Sequence, residues 1–300
     1  MTMKLELKVV DFTSRLPGPL AGALLADLGA RVIKVEFHDA PDPFAARSST
    51  ERDEIFNFWR NNFNQKKETV LLDKEDDKIL GQLFKDCDIV LCPPSKRFNR
   101  LKKSYPRPLF VEARGGSGTQ KYLHDLNALF LTRSFKLHLS GQSEPEPPYL
   151  PFAGIVFAQQ IALEALAGHI AKQSNPKTPN KTIYLDQAAT NVLDKLWSKE
   201  LDESGETKFL HNGRFPCYNI YRSLDGFFIG LAAVEEKFWL KFIQLFNLPL
   251  SLEDRYDESG KTGQSLKEMF LSYKASEIIK RIGDNDICLN VFARNEKEKL

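Results

Sequence analysis

The chain has 300 residues, 42% apolar and 27% charged, with a formal net charge of +2. That is enough apolar material for one large or two modest cores, and too little charge excess to argue for nucleic acid. The N-terminus MTMKLELKVV lacks the apolar stretch and small-residue cleavage site of a secretory leader. No apolar run reaches the ~18 residues of a bilayer span; the nearest, Ile155 to Ile170, is broken by Gln159, Gln160, Glu164 and His169. The expectation is a cytoplasmic protein with no membrane and no nucleic-acid partner.

In chain order, Val9 to Phe12 reads as a short apolar strand. A Pro-Gly-Pro turn follows, then a small-residue helix from about Leu20 to Leu28, which Gly29 stops, and a second strand from Arg31 to Glu36. Strand, turn, helix and strand open a parallel α/β sheet with a phosphate-facing loop at the first turn. Pro41 to Lys67 is polar and aperiodic, a surface excursion with one short helix at Asp53 to Trp59. Thr69 to Leu72 is a strand, and Asp76 to Lys85 a helix with Ile79, Leu80, Leu83 and Phe84 on one face. Ile89 to Leu91 and Leu109 to Glu112 are short buried strands flanking the basic segment PPSKRFNRLKKSYPRP.

His124 to Leu139 reads as helix leading into a loop, and Ser143 to Pro151 as a rigid proline-rich connector. Pro151 suits the first turn of a long helix through Ile170. Gln173 to Lys181 is a polar loop and Ile183 to Leu185 a strand. Asp186 is placed to cap a helix to about Trp197. After a charged stretch from Lys199 to Thr207, Tyr218 to Arg222 and Phe227 to Leu231 form a hairpin around Ser-Leu-Asp-Gly. Helices follow at Glu236 to Phe246, Leu266 to Tyr273 and Ser276 to Ile282, with a last strand at Ile287 to Val291. The aromatics from Phe238 to Phe246 read as core or interface. The organisation is a Rossmann-like parallel α/β large domain over residues 1–197, a linker over 198–212 and a smaller α+β domain over 213–300.

Few patterns carry chemistry by themselves. Cys87, Cys92, Cys217 and Cys288 are scattered without the paired spacing of a zinc site, so no metal is expected. Arg114-Gly-Gly-Ser-Gly follows a strand but matches neither dinucleotide nor P-loop spacing, and reads as a glycine-rich turn.

A set of motifs in order says more. PGPLAGALLADLGARVIKVE (17–36), NQKKETVLLD (64–73), the Asp-Ile-Val strand ending at Cys92-Pro93, His124-Asp125-Leu126-Asn127 and FPCYNIYRSLDGFFIGLAAVEEKFW (215–239) together resemble the family III CoA-transferases, closest to their α-methylacyl-CoA racemase branch. The resemblance implies coenzyme A, carried as an acyl-CoA thioester, as the ligand of the large domain. Backbone groups and cationic side chains would hold its phosphates. On the matching positions the candidates are Lys66, Lys67, Leu72, Asp73, Lys96, Arg97, Arg100, Leu123 and Asn127. It also implies an interlocked homodimer.

The same resemblance makes His124 the candidate base. An imidazole exchanges protons near neutral pH, with an ordinary pKa near ~6.5. Glu235 would orient it, and Asp125 stands beside it. In relatives a carboxylate just before a Phe-Ala-Gly helix start is the acyl-carrying nucleophile or the second base; here that position is Pro151, which can neither attack nor abstract. Glu144, Glu146 and Asp125 are the possible stand-ins. Phe37 and Gln65 also depart from the family pattern, where arginine is common, and the chain ends sooner after its small domain than its relatives do. Three readings stay open. One is an enzyme transferring CoA or moving the α-proton of an acyl-CoA; another is a catalytically degenerate homologue that binds CoA or a partner. The third is an unrelated nucleotide-binding α/β enzyme.

Overall fold

The computed structural model describes residues 5–45, 51–73, 76–132, 150–196, 210 and 213–292. The described residues up to Leu196 form one compact unit and those from Leu210 onward a second. Most of the expected linker and of the proline-rich connector, and the stand-ins Glu144 and Glu146, lie outside the described residues.

The first unit is built on six strands, β1 (Lys8–Asp11), β2 (Arg31–Phe37), β3 (Glu68–Leu72), β4 (Ile89–Cys92), β5 (Leu109–Arg114) and β6 (Lys181–Tyr184). Every pair is parallel and the order is β3-β2-β1-β4-β5-β6. The central strands explain this. Val9, Val10, Ile89, Val90, Leu91, Leu109, Phe110 and Val111 are all buried, so both faces need cover, as parallel sheets require. One face packs α1 (Pro17–Asp27), α5 (Asp125–Leu131), α6 (Phe152–Ser174) and α7 (Leu185–Leu196). The other packs α3 (Asp77–Asp86) and α4 (Lys96–Ser104) through Leu80, Phe84 and Phe98. α2 (Glu51–Asn64) precedes β3.

Helix α6 meets the length and apolarity of a membrane span. Its Ala153, Ala158, Ala162 and Ala165 explain its composition differently: they are buried core residues on a helix packed with α1 and α7.

Several boundaries differ from expectation for identifiable reasons. α1 starts at Pro17 rather than Leu20, because a proline's fixed φ and missing N–H suit the first turn. Its end is as expected: Gly29 takes φ 96 and returns its N–H to Ala26 O at 2.9 Å. α2 runs 14 residues, longer than the short helix expected. The basic stretch after β4 is helical: Ser95 caps it by accepting the Phe98 N–H at 3.1 Å, and Phe98 turns inward while Lys96, Arg100 and Lys103 face out. Pro151 is the N-cap of α6 rather than its first residue. Asp186 lies inside the first turn of α7, where it accepts from the Ser117 N–H (3.0 Å) and hydroxyl (2.8 Å).

The second unit is an antiparallel sheet of β7 (Tyr218–Arg222), β8 (Phe228–Ala232) and β9 (Leu289–Phe292), with α8 (Glu236–Leu245), α9 (Lys261–Leu271) and α10 (Ala275–Ile282). Trp239, Phe242, Phe246 and Phe270 fill its core, and the Trp239 indole N–H reaches Ser251 O at 2.8 Å.

Candidate functional site

The strand order of the first unit changes direction between β1 and β4. At such a switch point the connections leave to opposite faces, and a crevice opens at the C-terminal ends of the strands. The loop after β1, the start of α4 and the ends of β2 and β3 meet this edge. Phe12 lies at its floor, edge-on to Phe98 at 5.0 Å and stacked on Phe37 at 6.2 Å, and its N–H pairs with Leu91 O at 2.9 Å.

Beneath the first turn lies a buried charged network that the sequence reading passed over. Asp11, the last residue of β1, is fully buried. One of its oxygens accepts from the backbone N–H (2.9 Å) and hydroxyl of Thr13, and the other from the Lys67 ammonium at 2.9 Å. Lys67 also donates to Pro19 O at 2.7 Å, inside the first turn of α1. Lys34, which faces Asp11 in the β1–β2 register, donates to Thr13 O. Burial alone would raise the Asp11 carboxyl, but the two ammoniums and Thr13 outweigh it and hold it below the usual carboxylate range. Gly22 makes room: a methyl there would fall 2.8 Å from the Asp11 carboxylate and 2.9 Å from the Lys67 ammonium. Further along, Arg15 has φ 65, and its N–H is gripped by both carboxylate oxygens of Asp42 at 3.0 and 3.1 Å.

The residues expected to hold CoA therefore separate. Leu72 ends β3, buried, with exposed Asp73 after it. Lys96 and Arg100 are exposed one turn apart on α4, and the Arg97 guanidinium lies 5.1 Å from the centre of the Phe37 ring. Leu72 and Asp73 thus close β3, while the three cations lie on the helix that follows β4. Lys67 serves the buried network. Lys66 pairs with Asp27 at 2.6 Å, at the far end of α1, roughly 16 Å from its first turn by helical rise. Below α4, Glu112 is a buried carboxylate bound by Lys102 and Arg114, tying that helix to β5. Burial opposes its ionisation, yet the two cations hold it below its ordinary value.

Beyond β5, His124 is the exposed N-cap of α5 and its N–H meets the Asn127 side-chain oxygen at 3.1 Å. Leu123 is half-buried against the core. Asp125 turns back to α6, where its carboxylate accepts the Gly154 N–H at 2.7 Å. Burial pushes the Asp125 carboxyl up, against the pull of the Gly154 and Ala153 amides. It thus caps a helix whose own cap residue, Pro151, has no side-chain acceptor. This place adjoins the β1–α1 loop: a methyl on Gly154 would lie 3.3 Å from Leu16 and 3.6 Å from the Asp125 oxygen. Glu235 belongs to the second unit, exposed at the start of α8. A cleft of about 690 Å3 opens near the glycine-rich turn, lined by Ser117, Gln120, Thr132, Asp186 and Thr190 among others.

The overlooked residues did leave a signal. Lys34 interrupts the apolar strand V-I-K-V-E and Asp11 ends V-V-D. A charge inside a strand covered on both faces needs a buried partner, so the pairing of Lys with Asp was there to be asked for.

Compared with known proteins, residues 6–297 match the family described as CoA-transferase family III. The chain is 23% identical over 309 aligned positions to the human alpha-methylacyl-CoA racemase, covering 94% of this chain and 76% of that one. It is 25% identical over 283 positions to the (R)-2-hydroxy-4-methylpentanoate CoA-transferase of Clostridioides difficile, covering 84% and 68%. The crystal structure of the Mycobacterium tuberculosis protein Rv3272 superposes with a TM-score of 0.74 at 20% identity, covering 98% and 85%. That likeness carries the fold.

Proposed function

The chain belongs to the CoA-transferase family III, and on that premise we propose that it is an enzyme that moves the proton on the carbon next to an acyl-CoA thioester. The observation that carries this choice is the pair His124–Asp125 at the start of α5. An exposed imidazole there adjoins a half-buried carboxylate fixed on the amide of Gly154. CoA transfer in this family uses a carboxylate as acyl carrier before the α6 start, and Pro151 stands there. Asp125 is engaged with backbone amides and has a raised pKa, which suits a proton donor better than a nucleophile. In this reading His124 takes the α-proton and the negative charge passes to the thioester oxygen. In the same reading Asp125 returns a proton to the same carbon. The thioester approaches along the crevice edge, with Lys96, Arg97 and Arg100 toward its phosphates. A homodimer in the cytoplasm belongs to the same reading, and light scattering of the purified chain checks the dimer.

A second reading, a CoA-binding homologue without chemistry, is favoured by Pro151 and by the occupied state of Asp125. Incubation with a 2-methylacyl-CoA in deuterated water separates the two. Deuterium entering at the α-carbon, slowed at least ~100-fold in His124→Ala, supports the enzyme. No exchange together with tight CoA binding in calorimetry supports the binder.

A further inference from the structure

We infer that Arg15 is the side chain that takes the diphosphate of the CoA ligand, an inference that rests on the acyl-CoA reading above. In Rossmann-type folds the diphosphate sits at the first strand-to-helix turn, held by amides at the helix N-terminus. Here that helix cannot supply them. Pro17 and Pro19 have no N–H, so Gly18 offers the one amide among the first three helical residues. A diphosphate at this turn therefore needs a cation from a side chain, and Arg15 is the cation the turn carries.

The loop is built to present it. Arg15 is exposed, and its backbone occupies the left-handed region, which a long side chain rarely adopts unless its surroundings impose it. The imposing groups are visible on both sides. Downstream in the chain, buried Asp42 holds the Arg15 N–H with two oxygens and the Phe44 N–H at 2.9 Å. Upstream, Asp11 and Lys34 fix both the N–H and the carbonyl of Thr13. The flanks point to a ligand path: Phe12 packs on Phe98 of the cationic helix, and Leu16 touches down beside Gly154 and Asp125. Arg15 thus stands between the cations of α4 and the proton-transfer pair.

The test is calorimetric titration of the whole chain with CoA and with dephospho-CoA, which keeps the diphosphate and lacks the 3′-phosphate. Arg15→Gly removes the guanidinium while easing the backbone, so its melting temperature should equal or exceed that of the parent. Its Kd for both ligands should rise about tenfold or more, and Arg15→Lys should recover part of that loss. Parental affinity in Arg15→Gly overturns the inference. So does a loss seen with CoA but not with dephospho-CoA, which would place the contact at the 3′-phosphate, and so does a melting temperature that falls with the affinity. If the parent chain itself binds neither ligand, the acyl-CoA reading fails first.

Discussion

At the scale of single residues, the pair Asp11–Lys67 is the sharpest case. Both side chains are fully out of solvent. Removing either one leaves the other's charge buried without this ion pair, so the two losses are coupled, while buried Lys34 keeps its bond to Thr13 O. Lys67→Met should cost about 3–5 kcal/mol in urea unfolding, and the double variant with Asp11→Leu clearly less than the sum. Thiols give a second check. Burial pushes Cys87 and Cys92 up to about 12 and Cys217 to about 11. Cys288 alone of the four is not buried. An aromatic disulfide reagent should titrate at most one thiol in the native chain and four after denaturation. The sequence reading singled out His124, Asp125 and the α4 cations as candidates through motif order alone. Asp11, Lys34 and Arg15 escaped it because their roles arise from neighbours distant in the chain and from a backbone angle that residue type does not announce.

At the scale of elements, the closest fit is α1 over the charged network. Gly22→Ala would press a methyl into the Asp11–Lys67 contact, so an urea titration should show a loss of about 1–3 kcal/mol despite alanine's better helix propensity. The start of α6 separates charge from capping. Asp125→Asn keeps an acceptor for the Gly154 N–H and should hold its stability within about 0.5 kcal/mol. Asp125→Ala loses the acceptor and should cost about 1 kcal/mol. The strands, α3 and the hairpin of the second unit were legible because their periodicity and turn residues agree with their burial. α4 was not, since a run so rich in Lys and Arg hides the single apolar face of Phe98, Leu101 and Tyr105 that makes it a helix.

For the molecule as a whole, the sequence revealed the layered α/β plan and its second unit, while which buried charges pair with which came from the fold. Those charges set its acid response. Asp11 and Glu112 ionise below their ordinary range in the folded chain, so the unfolded chain takes up protons first as pH falls. Stability from them should be complete above about pH 4–5 and lost as pH drops toward their lowered values. Melting temperatures measured between pH 7 and 3 should fall steeply, and less steeply in Asp11→Asn. The placement of β1 at the centre of the sheet has a consequence for synthesis. Its Lys8 amide waits for Asp88, 80 residues away, and with it for β4. At ribosomal speeds of ~5–20 residues per second, one edge of the innermost strand stays naked for roughly 4–16 s. A nascent chain halted before Ile89 should be sticky and chaperone-bound, and one released after Arg114 markedly less so.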